Sequence, residues 1–189
     1  MKVFINPGHA PNGYPDPGAV SNGVRECDVV ANVGNLLANY LTAAGVEVVG
    51  VLQHDDLSTI CDASNNADAD VFISLHCNSA ATPAAEGTET FHWHTSTTGK
   101  NLARCIQNQI VHSLETCDRG VKKCMPGTGT NFYVVRNTDA VAVLVEMAFI
   151  SNADDRMLLE NNQDDFARAI ARGVTDYQQM IESAKEELQ

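Results

Sequence analysis

Four residues in this chain have the types and the placement to do chemistry together: His9 in Asn-Pro-Gly-His, Glu26, His76 at the end of Val-Phe-Ile-Ser-Leu-His, and Glu146 at the end of Val-Ala-Val-Leu-Val-Glu. Two imidazoles and one carboxylate form a ligand set that suits Zn²⁺ and leaves a fourth position for water. A further carboxylate nearby can accept that water's proton. Taken singly, each residue has an ordinary reading. A histidine just past a strand is usually packed or solvated, and a glutamate opening a helix is favoured by the helix dipole. Glu146 is the least ordinary, because a carboxylate directly after five apolar residues faces a large desolvation cost unless it is paired, beside a metal or shifted in pKa. On the residues alone, a shared metal site and four separate structural roles stand about level.

Two rivals for the metal are weaker. His92 and His94 flank Trp93 on one strand face but lack an obvious third ligand, so they read as an exposed face beside a groove. Cys77 adjoins His76, but neighbouring strand residues point to opposite sheet faces, and no cysteine stands at a helix start opposite a suitable base as thiol catalysis needs. The six cysteines contain no Cys-x-x-Cys spacing and read as reduced and packed, with Cys117 and Cys124 the first pair to consider for a bridge.

The elements that must position these residues follow from apolar spacing. Lys2–Asn6, a helix from about Glu26 to Ala44, and Val46–Leu52 make a β-α-β opening, with Gly45 where a glycine ends a helix. Val71–His76 reads as a strand buried on both faces, and Thr88–Trp93 alternates like an exposed edge strand. Leu102, Ala103, Ile106, Ile110, Val111 and Leu114 give a second helix its apolar face, capped by Ser96 or Thr97. Phe132–Arg136 and Val141–Val145 read as strands, and about Asp164 to Ser183 as a closing helix. Pro11–Val24, Ser79–Glu86 and Asp118–Asn131 read as loops. The expected fold is one α/β domain, a mostly parallel twisted sheet of about six strands with helices on both faces. Ligands bind such sheets at the carboxyl ends of the strands, the edge to which His9, His76 and Glu146 belong. The loops Pro11–Val24 and Ser79–Glu86, with Asn78, His92 and Trp93 nearby, are the expected border of a substrate groove.

Composition narrows the partners. With 189 residues and 44% hydrophobic content the chain builds one sizeable core. A formal charge of −12 argues against nucleic acid and anionic lipid surfaces, and it implies that any grip on an anionic wall polymer comes from a groove. No apolar run approaches the ~18 residues that span a bilayer. The N-terminus lacks the apolar region of a signal peptide, so the protein is expected to remain cytoplasmic until released, or to lack a removed leader.

In the order and spacing of its motifs the chain resembles the zinc-dependent N-acetylmuramoyl-L-alanine amidases of the Amidase_3 type, over about Lys2 to Tyr177. The blocks are Ile5-Asn6-Pro7-Gly8-His9, Asp16-Pro17-Gly18-Ala19, Glu26, the run from Ala69 through His76 to Asn78, Arg119-Gly120-Val121-Lys122, and the run from Glu146 to Asn152. The resemblance implies zinc on His9, Glu26 and His76, with Glu146 as general base. It also implies hydrolysis of the amide between N-acetylmuramic acid and L-alanine in peptidoglycan, at the cell wall. No further organic cofactor is implied, and the catalytic domain is expected to span residues 1–183 and act as a monomer, with 184–189 a helix end or tail. The chain departs from the family at Asn6, where Asp is usual, and lacks an arginine near Ile60 or Cys61. No connection is long enough for the helical plug that some exported relatives carry, so the groove is expected to be open. The same metal chemistry would serve a zinc peptidase acting on the stem peptide. A catalytically silent wall-binding module is the alternative of another kind.

Overall fold

The computed structural model describes residues 1–187. In chain order the elements are β1 (Lys2–Pro7), a ribbon of β2 (Val20–Ser21) and β3 (Val24–Arg25), α1 (Glu26–Ala43), β4 (Glu47–Val51), α2 (Leu57–Asn66), β5 (Val71–Asn78), β6 (Thr88–Trp93), α3 (Thr97–Leu114), β7 (Asp118–Cys124), α4 (Tyr133–Asn137), β8 (Val141–Phe149), α5 (Ala153–Asn161) and α6 (Gln163–Glu186). The main sheet has the order β4-β1-β5-β8-β6-β7. Its first four strands are parallel, β6 is antiparallel to β8, and β7 is parallel to β6. The carboxyl ends of β1, β5 and β8 therefore share one edge with the amino ends of β6 and β7.

Helices cover both faces, as the alternation of apolar strands and amphipathic helices requires. On one face α1, α3 and α6 bury Leu37, Ile106 and Ile170 against Ile5, Ile73 and Val145. On the other, α2 and α4 bury Ile60 and Val134 against Phe4, Phe72, Phe91 and Leu144. Among the described residues no helix is long and apolar enough to cross a membrane.

Several expectations need correction. Thr88–Trp93 is an interior strand and not an edge, with five of its six residues buried. Its polar residues tolerate burial because each has a partner: Thr90 Oγ1 donates to Gln107 Oε1 at 2.8 Å, and Gln107 Nε2 donates to the Thr88 carbonyl at 2.7 Å. The edge on that side of the sheet is β7, expected to be loop, whose Lys122 and Lys123 face water as edge strands tolerate. Phe132–Arg136 is not a strand. The β-branched pair Val134-Val135 packs as a helical turn beneath the sheet, and Asn137 Nδ2 and Thr138 Oγ1 take the Tyr133 and Val134 carbonyls at 2.8 Å each. Helices α2, capped by Asp56, and α5, capped by Asn152, lack the strong apolar periodicity that marks a helix in sequence. Helix α6 runs through Ser183 to Glu186, and Leu188 and Gln189 of the expected helix end or tail lie outside the described residues. All six cysteines are free. Cys117 immediately precedes β7 and Cys124 ends it, about 23 Å apart at strand rise, which excludes a bridge between them.

Candidate metal centre

Three ligand-type atoms converge at the carboxyl edge of the sheet. His9 follows β1 in a left-handed conformation, φ 66°. Glu26 opens α1, where it is tied to the preceding loop twice: its amide donates to the Ala19 carbonyl at 2.9 Å, and the Ala19 amide donates to its Oε2 at 2.9 Å. His76 lies in β5, and the next amide, of Cys77, donates to Glu26 Oε1 at 2.8 Å. One ligand atom from each of His9, Glu26 and His76 lies within 4.8 Å of the others. The Cys77 thiol packs in the core on the opposite sheet face, as strand alternation requires.

The packing leaves no room for a side chain at Gly18. A Cβ on Gly18, which has φ +68°, would meet His9 Cδ2 at 2.6 Å and Glu26 Oε2 at 2.7 Å. Glycine is thus demanded twice, by conformation and by close approach. Asp16 completes the arrangement. Its Oδ2 lies 2.7 Å from His9 Nδ1, and its Oδ1 accepts from the Gly18 amide at 2.9 Å.

Electrostatics follow from burial and these partners. Burial opposes a charge on His9, but the Glu26 and Asp16 carboxylates outweigh it and raise the imidazole to about 9. Burial pushes Glu26 up, yet His76 and His9 hold it far below the usual carboxylate range. Glu146 faces His76 across the β5–β8 ladder, and burial raises its carboxyl to about 7 against the opposing pull of His76.

Two atoms test whether a metal suits this set. His9 Nε2 lies 2.9 Å from Glu26 Oε1, but off the angle a hydrogen bond needs, so this buried nitrogen has no hydrogen-bond partner. Asp16, holding Nδ1, turns Nε2 toward the other ligand atoms, the orientation in which a neutral ring gives its lone pair to a metal. Glu146 is partly exposed as a residue, yet its Oε2 is also buried without a partner. Unpaired polar atoms of this kind call for an explanation, and two imidazoles with one carboxylate, with a second carboxylate beside them, fit Zn²⁺.

Of the residues expected in the groove, Asn78 is near the centre, with its Nδ2 donating to Glu89 Oε1 at 2.7 Å. His92 and Trp93 are not. Because β6 runs antiparallel to β8, Glu89 is opposite Glu146 while His92 is opposite Val143, some 10 Å down the strand. His92 is buried, with Nδ1 on the Trp93 carbonyl, and Trp93 packs against the second core cluster. The groove is bordered instead by a cavity of about 230 Å³ lined by Asp16, His54, Asp55, Leu57, Ile60 and Val134 beside His9 and His76. On the other side lie Glu89 and Arg119, whose Nε donates to Glu89 Oε2 at 3.1 Å. Asp16 had a signal in sequence, an Asp-Pro-Gly turn seven residues after His9, whereas the Glu89–Arg119 pair depends on strand order and had none. Asn6 places no carboxylate at the site. Its buried amide donates to the Leu52 carbonyl at 3.0 Å and accepts from Ser74 Oγ at 2.8 Å.

A family profile described as N-acetylmuramoyl-L-alanine amidase (Amidase_3) matches residues 3–176. The chain is 34% identical over 182 residues to N-acetylmuramoyl-L-alanine amidase LytC of Bacillus subtilis, covering 93% of this chain and 35% of LytC. It is 37% identical over 184 residues to YqiI of the same organism, 93% of this chain and 84% of that protein. It thus spans about a third of LytC and most of YqiI. The crystal structure of an N-acetylmuramoyl-L-alanine amidase from Clostridium difficile 630 superposes with a TM-score of 0.84 at 30% identity, covering 94% of this chain and 96% of that one.

Proposed function

The chain belongs to the N-acetylmuramoyl-L-alanine amidase family, and we propose that it hydrolyses the amide between the lactyl group of N-acetylmuramic acid and L-alanine in peptidoglycan. In this reading His9, Glu26 and His76 hold one Zn²⁺, Glu146 is the general base, and residues 1–183 act at the cell wall as a monomeric catalytic unit. The observation that carries it is the pair of buried, unpartnered atoms, His9 Nε2 and Glu146 Oε2, at the sheet edge where three metal-type ligands converge. When bound, zinc supplies Lewis acidity to the scissile carbonyl and lowers the pKa of a water toward ~7.

The protein's own groups do the rest. Asp16 holds the His9 ring by Nδ1 so that Nε2 faces the centre. The amides of Ala19 and Cys77 hold both oxygens of Glu26. Glu146, whose Oε2 has no competing donor, accepts the proton of the attacking water and delivers it to the departing alanine amine. Glu26 is not available as base, because its oxygens are held by the amides of Ala19 and Cys77 and by His76 Nδ1 and are assigned to the metal.

Zinc content and product identity test the reading together. One zinc per chain, activity abolished by 1,10-phenanthroline and restored by zinc, and release of a free L-alanine amino terminus with intact glycan are expected. Full activity of metal-free protein would refute the metal role. Cleavage between stem-peptide residues would make the enzyme a zinc peptidase instead.

A further inference from the structure

The groove is chemically lopsided. On the β4 side the cavity next to His9 and His76 is walled by Leu57, Ile60 and Val134, with the acids Asp16 and Asp55, a surface that repels carboxylates and suits an uncharged, partly apolar group. On the β7 side stands Arg119. Its guanidinium is held by three restraints: Nε on Glu89 Oε2 at 3.1 Å, Nη1 on the Glu86 carbonyl at 3.3 Å, and the Phe149 ring face 4.7 Å below. Glu89 is itself buried and anchored by Asn78. Nη2 has no partner among the described residues, and the Arg119 side chain is 36% exposed. Arg25, the cation adjoining Glu26, is instead spent on both oxygens of Asp28.

The ladder sets the distance. His76 is opposite Glu146, and Glu146 is opposite Glu89, so two strand spacings, about 10 Å, separate His76 from the backbone of Glu89. A peptide extending from an amide at the metal centre carries its next α-carboxylate about 7 Å further on. Resting on the amidase reading above, we propose that Arg119 is a specificity-determining residue that receives the free α-carboxylate of the second stem-peptide residue, directing the peptide toward β7 and the muramyl group toward the Leu57–Val134 cavity. Glu89, Asn78 and Phe149 are positioning residues for the guanidinium. A planar fork fixed before binding loses less entropy on engaging a carboxylate than a free lysine would.

The test compares two disaccharide-tripeptides that differ only at the second residue, D-glutamate with a free α-carboxylate or D-isoglutamine with that group amidated. Zinc-loaded wild type is expected to favour the acid form in kcat/KM by roughly 10-fold or more, mainly through KM. Arg119→Gln should bring the ratio to near one, and Arg119→Lys should retain part of it. Any loss of fold or of Glu89 positioning is common to both substrates and cancels in the ratio. Equal kcat/KM for the two forms in the wild type, or a ratio unchanged in Arg119→Gln, would overturn the role of Arg119 while leaving the amidase reading intact. If wild type cut neither fragment at the lactyl-alanine bond, the amidase reading would fall with it.

Discussion

A proposed ligand imidazole is oriented by whatever holds its other nitrogen, and for His9 that is Asp16, 2.7 Å from Nδ1. Asp16→Asn keeps the size but weakens the charge-assisted bond, so zinc affinity should fall about 10–100-fold in competition with a chromogenic chelator; an unchanged affinity would remove Asp16 from the centre. Glu146→Gln should behave oppositely. It is nearly isosteric and leaves the proposed ligands in place, so zinc should stay bound while turnover falls by at least ~10²–10⁴. His9→Ala and His76→Ala should lose zinc and activity together. Near-normal turnover in zinc-loaded Glu146→Gln would force the search for another base. Glu146 was legible in sequence because a carboxylate ending an apolar strand is itself anomalous. His92 misled because its histidine-tryptophan-histidine setting looks like a binding face, and only the antiparallel direction of β6 takes it away from the centre.

At the level of elements, sequence periodicity found those held by apolar contact with a core, the helices on one face and the central strands on both: β1, α1, β4, β5, α3 and β8 differ from expectation by a few residues at most. It failed where side-chain hydrogen bonds replaced apolar contact. Strand β6 alternates threonine, glutamate and histidine with apolar residues like a surface strand, yet its threonines turn toward α3, where Gln107 serves Thr90 Oγ1, the Thr88 carbonyl and, at 2.7 Å, Asp118 Oδ1. Gln107 is 2% exposed, so no water can readily replace it. Gln107→Ala should therefore destabilise the protein by about 2–4 kcal/mol, from buried polar groups left without partners and a cavity between β6 and α3. Urea unfolding measures this, and a loss below 1 kcal/mol would mean that the network contributes little and that β6 is held by its ladder alone.

Charge acts on the scale of the whole molecule, and the formal −12 hides an uneven distribution. Residues 100–136 hold six of the 12 cations and two of the 24 anions, making that stretch net positive by four while the remainder carries −16. The stretch contains α3 and the edge strand β7, where Lys122 and Lys123 are exposed and make no ion pair among the described residues. A chain of this length has a radius of gyration of about 16 Å. The Debye length is ~30 Å at 0.01 M salt and ~8 Å at 0.15 M, so at low salt an anionic wall feels the whole acidic molecule, and at physiological salt only the face it touches. Hydrolysis of intact walls should thus rise several-fold between those concentrations as the long-range repulsion is screened. The basic edge should be what orients the approach at low salt. Lys122→Glu with Lys123→Glu, on the β7 surface away from the proposed metal ligands, should slow wall hydrolysis further at 0.01 M, lose most of that effect at 0.15 M, and leave kcat/KM on the soluble amidated fragment within about two-fold. Turbidity loss of purified walls measured beside fragment cleavage separates these cases. Equal slowing at both salt concentrations would mean that the lysines act by direct contact and not through the molecule's field.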